Sequence, residues 1–164
     1  MREVLFKAKL KDWKTNPQQN KWVEGYYLSR KETTYCFTED YERNPVKTLH
    51  YIAVDSMTDW GLPNEFRCYE IDPDTLCQYT YQNDVNGNKI WENDICDRKE
   101  PFPEIVKMQK GDWILDYSYA VGRENCYCNL GFYVCERNSV EVIGNIFDNA
   151  ELLEASCTNS RTGN

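Results

Sequence analysis

One stretch constrains this chain more than any other: Cys77 to Asp97, CQYTYQNDVNGNKIWENDICD. It reads as strand, tight turn, strand. Asn86-Gly87 is a strong short-range hairpin signal, because both residues tolerate the positive φ that a type I′ turn demands. Tyr79, Thr80 and Tyr81 precede the turn, and Ile90, Trp91 and Ile95 follow it. Aromatic and β-branched residues of this kind favour a pleated, half-buried surface. A chain organised around this hairpin is committed to antiparallel sheet, and Asn86 and Gly87 are structural positions rather than chemical ones.

The flanking pattern agrees. Across residues 2–10, Val4, Phe6, Ala8 and Leu10 alternate with Lys7 and Lys9, a period-2 strand with one wet face. Residues 22–29, 33–38, 47–55 and 66–71 give four further strands, and 39–44 reads as a charged loop. The link over 11–20 is too short and polar for a crossover, so the first two strands are antiparallel neighbours. Trp60-Gly61 and Pro63 break any regular element over 56–64. Asp72-Pro73 reads as the N-cap and first position of a single helical turn. Beyond the hairpin, 104–109 and 113–119 are strands around Lys110-Gly111-Asp112, 120–130 is an exposed excursion, and 132–136 and 140–146 are strands. A short C-terminal helix over 148–155 starts at Asp148 or Asn149. The fold class is mainly β in two linked halves: an N-terminal strand-rich subdomain over 1–75 and a second over 76–156, with 157–164 a flexible tail.

At 164 residues a compact chain buries roughly 70% of its unfolded surface and needs no staples. Lys and Arg number 19 against 27 Asp and Glu, a net charge of −8. That disfavours sequence-independent nucleic-acid binding, which requires a positive field. No apolar run approaches the ~20 residues of a membrane span, and the charged, alternating start is unlike a secretory signal. The expected location is cytoplasmic. In that reducing setting the eight cysteines, at 36, 68, 77, 96, 126, 128, 135 and 157, are expected to be thiols packed as small hydrophobes.

Two stretches, CQYTYQNDVNGNKIWENDI and VEVIGNIFDNAELLE, in this order and spacing, resemble the YopX family of phage and prophage proteins. The opening REVLFKAKL followed by KWVEGYYL is similar to that family's usual start. The resemblance implies a small SH3-like β-barrel in the C-terminal half, a strand-rich N-terminal half, and a bacteriophage or integrated-prophage home in a bacterial host cell. It implies no activity, because the family has no established biochemical role. Family sequences often carry Gly where Tyr81 and Asn93 stand and Pro where Ala150 stands. Asn visits the left-handed region readily, so a turn at Asn93 survives the exchange, whereas Tyr81 is the sharper departure. Gly144 joins Asn86, Gly87 and Asn93 as a structural motif position.

The residues offer few chemical sites. Asp84-x-Asn86-x-Asn88 resembles the start of a calcium loop, but the sixth position is Lys89 and the twelfth Ile95, so the glycine and the bidentate ligand are missing. Cys126, Cys128 and Cys135 are weak metal candidates, since CxC departs from the usual paired CxxC spacing. His50, the single histidine, is the one residue on which a Cys-His nucleophile could draw, and no motif supports it. Glu92 with Asp94, and Glu100 with Glu104, could pair for acid–base work, although 27 acidic residues produce such pairs by chance. No phosphate-binding loop, dinucleotide fingerprint or nucleophile elbow occurs. The chain therefore reads as a non-enzymatic interaction module without cofactor, whose partner is a protein or another copy of itself. The alternatives are a nucleic-acid-associated factor using Arg98, Lys99, Lys107 and Lys110, and an enzyme whose site a single sequence hides.

Overall fold

The structure, a computed structural model, describes residues 4–122 and 124–154. The expected tail over 157–164, the ends of the first strand at 2–3 and of the last helix at 155, and Cys157 lie outside the described residues. The chain is mainly β, with two antiparallel sheets, and divides into two compact units between Gln78 and Tyr79.

In the first unit β1 (Phe6–Lys9), β2 (Trp22–Lys31), β3 (Thr48–Ser56) and β4 (Glu65–Glu70) form an antiparallel meander in spatial order β4-β3-β2-β1. Register explains the core. Ala8 faces Val23 across β1 and β2, and Tyr27 faces Ile52 across β2 and β3. Paired residues share a face, so these side chains line one side of the meander, where Ala8, Ile52 and Ile71 form a buried cluster packed by Phe6, Val23, Tyr27, Val54 and Leu76. A bridge between Leu10 and Ile71 draws the end of β4 back toward β1 and curls the meander around this cluster. On the opposite side Lys9 is buried. Its ammonium donates to Asn20 Oδ1 at 2.5 Å and lies 4.9 Å from the Trp13 ring and 5.1 Å from the Trp22 ring, so aromatic faces replace much of its water.

The turn at Asp72 forms as read. Asp72 accepts from the Asp74 amide at 3.2 Å, and a 3₁₀ turn runs over Pro73–Thr75. Residues 33–38 are not a strand. Tyr35 folds back so that its amide donates to the Tyr41 hydroxyl at 2.9 Å, and the supposed charged loop is instead helix α1 (Thr38–Arg43). Glu39 and Asp40 in its first turn and Arg43 in its last match the helix dipole.

The strand β5 (Cys77–Asn83) pairs at Cys77 and Gln78 with β1 and runs on into the second unit, where β6 (Lys89–Trp91) returns beside it. The turn between them is not type I′. Only Gly87 has positive φ, 84°. The Gly87 amide donates to Asp84 O at 3.0 Å and the Asp84 amide to Asn88 O at 2.8 Å. This is a three-residue loop, a type I turn closed by a glycine bulge. Asp84, buried, organises it: Oδ1 accepts from the Asn86 and Asn88 amides at 2.9 and 2.8 Å, and Oδ2 from the Val142 amide at 3.1 Å. The side chain that resembled a calcium ligand is thus satisfied by backbone donors.

A five-stranded sheet completes the second unit. It contains β7 (Asp94–Asp97), β8 (Glu104–Gln109), β9 (Asp112–Asp116), β10 (Tyr127–Asn129) and β11 (Glu141–Asn145) in order β10-β9-β8-β7-β11. Among the described residues no ladder joins its edges β10 and β11, so the sheet does not close into the expected SH3-like barrel. The strand expected over 113–119 stops at Asp116 and gives way to the short helix α2 (Ser118–Val121), and the excursion expected over 120–130 returns to the sheet as β10 and ends at the buried Leu130. The expected strand over 132–136 is helix α3 (Leu130–Cys135). Asn129 Oδ1 accepts from the Phe132 amide at 2.8 Å as its N-cap. Leu130, Tyr133 and Val134, at helical spacing, then pack on a core of Ile90, Cys96, Val106, Leu115 and Val140. At the bulge between Val142 and Gly144 a Cβ on Gly144 would lie 2.6 Å from Asn149 Oδ1, which fixes glycine there. The last described residues, 151–154, form a helical turn.

Candidate functional site

Two places concentrate unusual side chains, one in each unit. In the first unit the β3–β4 connection is tightly held. The Asp59 carboxylate accepts from the Trp60 amide at 2.7 Å, the Leu62 amide donates to Asp59 O at 3.2 Å, and Thr58 Oγ1 donates to Pro63 O at 2.9 Å. This ordered loop nevertheless leaves Trp60 90% exposed, with Met57 61%, Leu62 60% and the adjoining Phe66 65% exposed. Lone exposed apolar residues are ordinary, whereas several large ones along one short connection are less so. The loop leads into β4, whose Phe66 lies on the outer face of the sheet. Leu28 faces Tyr51 across β2 and β3, Ala53 faces Cys68 across β3 and β4, and Tyr26 meets Phe66 edge-on at 6.1 Å between centroids. A shallow groove of about 420 Å³ opens there, lined by Leu28, Ser29, Arg30, Tyr51 and Cys68. The Arg30 guanidinium lies 5.5 Å from the Tyr51 ring centroid.

In the second unit a cleft of about 330 Å³ is lined by Arg98, Glu100, Phe102, Glu104, Tyr117 and Tyr133 among others. Its floor is a buried ion pair. Arg98 Nε donates to Glu104 Oε2 at 2.5 Å, and Arg98 Nη2 to Glu104 Oε1. The guanidinium also stacks 3.8 Å from the Tyr133 ring centroid. The Glu104 hydrogen bonds hold the Arg98 pKa above its ordinary value. Burial pushes the Glu104 carboxyl up against the pull of Arg98. Cys128 Sγ lies 4.0 Å from Glu104 Oε1. Burial first, then the Glu104 carboxylate, push that thiol up to about 11. A thiol so raised stays protonated at neutral pH and is a poor nucleophile and a poor metal ligand.

Among the described residues no three His, Cys, Asp or Glu side chains gather as a metal site. Cys126 and Cys128 stand two apart at β10, while Cys135 is exposed at the end of α3. His50 belongs to the first unit, where its Nδ1 shares a 2.7 Å hydrogen bond with the Tyr27 hydroxyl and the two rings stack. Asp94 is buried, and its Oδ2 accepts from the Trp91 amide at 2.8 Å. Glu104 is held by Arg98, so Glu100 and Glu104 do not form a free acid–base pair. Arg98 is likewise withdrawn from the basic patch, and Lys107 lies 2.5 Å from Asp116 Oδ2. Lys99 and Lys110 sit at left-handed turn positions, φ 63° and 52°. The buried Arg98–Glu104 pair and the exposed Trp60 escape sequence reading because neighbours far along the chain decide their burial. Among the described residues no helix is long and apolar enough to cross a membrane.

The fold and these sites define a two-unit, mainly antiparallel-β protein with an apolar outer face on one unit and an ion-paired cleft on the other. Residues 13–154 match the family model for YopX protein, and the chain belongs to the YopX family. Its fold is similar to that of protein EF1440 from Enterococcus faecalis, with a TM-score of 0.51 at 17% identity, over 93% of this chain and 99% of that one. No curated protein matches the chain.

Proposed function

We propose that this protein is a non-enzymatic, phage- or prophage-encoded interaction module that docks a protein through the outer face of β2–β4 and the loop beside it. The observation that carries the reading is the exposed group Met57, Trp60, Leu62 and Phe66 on a loop pinned by its own hydrogen bonds. Rigid aromatic side chains lose little entropy on docking and dominate interface energetics. The cleft of the second unit supports the non-enzymatic part, because its carboxylate is tied to Arg98 and its thiol stays protonated. An open, SH3-like character for the five-stranded sheet belongs to the same reading as a fold analogy, and the docking surface itself is argued from the first unit's side chains.

The test compares the parent with Trp60→Ala and Phe66→Ser in two measurements, sedimentation of the full chain and retrieval of bound proteins from host cells, with each retrieved protein then titrated in purified form. The expected result is a defined binding partner, foreign or identical, held at micromolar affinity by the parent and lost in both variants. A monomeric parent that holds nothing the variants do not hold overturns the reading.

A further inference from the structure

We infer that the partner docking on this face is a second copy of the chain, the Trp60 loop of each copy entering the Leu28–Tyr51 groove of the other. The inference rests on the interaction reading above and names its occupant. The argument starts from self-complementarity. A two-fold dimer buries the same patch on both partners, so the patch must contain both a projection and a recess that fit each other. One unit of this chain carries both. The projection is Trp60, 90% exposed at a loop tip. The recess is the groove of about 420 Å³ beside Leu28, Arg30, Tyr51 and Cys68, on the face that also carries Phe66, roomy enough for an indole. Its lining suits that ring: Leu28 and Tyr51 offer apolar contact, and Arg30 offers a guanidinium to an aromatic face.

Charge points the same way at two scales. Asp59, next to Trp60, carries the acid of the projection, and Arg30 the base of the recess, so two reciprocal pairs form when each loop enters its partner's groove. Over the chain the acidity is uneven. Up to Gln78 there are 11 Lys and Arg against 13 Asp and Glu, and beyond it 8 against 14. The first unit is therefore close to neutral and the second carries most of the −8. Two acidic molecules repel at long range, and the unit that bears the projection and the recess is the one on which that repulsion is weakest.

Sedimentation equilibrium of the full chain across the micromolar range tests this, using the parent, Trp60→Ala, Arg30→Asp, Asp59→Arg and an equimolar mixture of the last two. The parent is expected to be a dimer that persists in moderate salt, because salt screens the long-range repulsion between the acidic units as well as the two reciprocal pairs, and the apolar contact of Trp60 is left unscreened. Trp60→Ala is expected to weaken dimerisation at least tenfold. Arg30→Asp and Asp59→Arg alone are expected to be monomers, each placing like charges in both contacts. Their mixture is expected to dimerise, since the swapped charges then match at both contacts. A parent that stays monomeric, a Trp60→Ala variant as dimeric as the parent, or a mixture that stays monomeric overturns the inference. If the parent is monomeric yet holds a foreign protein in a Trp60-dependent way, the inference fails and the interaction reading stands. If it holds neither, both fail.

Discussion

Single residues show where backbone and side chain disagree and what resolves them. Tyr81 holds φ 64° at a break in the β5–β6 ladder, although its ring packs 5.3 Å from that of Tyr79. A Cβ in the left-handed region costs about 1–2 kcal/mol. Comparing Tyr81→Gly with Tyr81→Ala isolates that cost, since both lose the ring and only one keeps a Cβ; the glycine variant is expected to be more stable by about 1 kcal/mol in urea melts. Equal stability would mean the backbone relaxes. Asn93, at φ 65°, and Tyr81 were both marked by the resemblance, since family sequences often carry Gly at each; asparagine visits the left-handed region readily and tyrosine does not. Asp84 is the second such residue. Burial alone would raise its carboxyl, but the amides of Val142, Asn88 and Asn86 outweigh burial and hold it below the usual carboxylate range. A lowered folded value means stability that is present above the ordinary carboxylate pKa and lost as pH falls through the folded one. Asp72 and Asp116 shift the same way. Urea midpoints of the parent are expected to drop on acidification below about pH 4. Asp84→Asn, which turns an amide group toward the Val142 donor, is expected to cost about 1–3 kcal/mol at neutral pH and to flatten the acid drop. An unchanged midpoint at pH 7 would remove Asp84 from the turn's support.

At the scale of elements, the strands were the legible part because they announce themselves by alternation. The strand expected over 104–109 is β8 with the same bounds, and the one expected over 47–55 is β3 shifted by a single residue. The turn at Asp72 and the helical turn over 151–154 were legible too, from their caps and position, whereas α1 and α3 were not, for two different reasons. In α3 the run Phe132-Tyr133-Val134 has strand propensity, but Asn129 as cap and Leu130, Tyr133 and Val134 at helical spacing override it; that signal was available. In α1 nothing is buried, so hydrophobic period carried no information, and the charge order along the helix was the remaining cue. The connection from β7 to β8 depends on the Arg98–Glu104 pair, whose side chains are only 7% and 2% exposed. Buried pairs contribute little net stability when intact but cost much when halved. Glu104→Gln is accordingly expected to lose about 3–5 kcal/mol, and the double variant Arg98→Met with Glu104→Leu to recover most of it. If the single variant were as stable as the parent, the pair would not be desolvated in solution.

At the scale of the whole molecule, composition bounded the answer while sites did not. A net charge of −8 and 14% aromatic residues pointed away from polyanions and toward protein contacts, and the uneven split between the two units refines that argument. The four cations on which a nucleic-acid role would rest, Arg98, Lys99, Lys107 and Lys110, all fall in the more acidic unit. Arg98 is bound to Glu104 there and Lys107 to Asp116. Freeing either to meet a phosphate would leave a carboxylate unpaired, so the gain from releasing counterions would be offset by the lost ion pair. Lys99 and Lys110 remain, and two point charges are too few to hold a duplex at physiological salt, where specific and non-specific binders use about 6–10 phosphate contacts. The first unit is nearly balanced and offers neutral apolar surface instead. Mobility-shift titrations with duplex and single-stranded DNA at about 0.15 M ionic strength are therefore expected to show no complex up to micromolar protein. Lowering the salt is expected to reveal at most weak binding that Lys99→Glu with Lys110→Glu abolishes. A micromolar, salt-sensitive complex that survives that double substitution would place a phosphate-binding groove elsewhere on the chain.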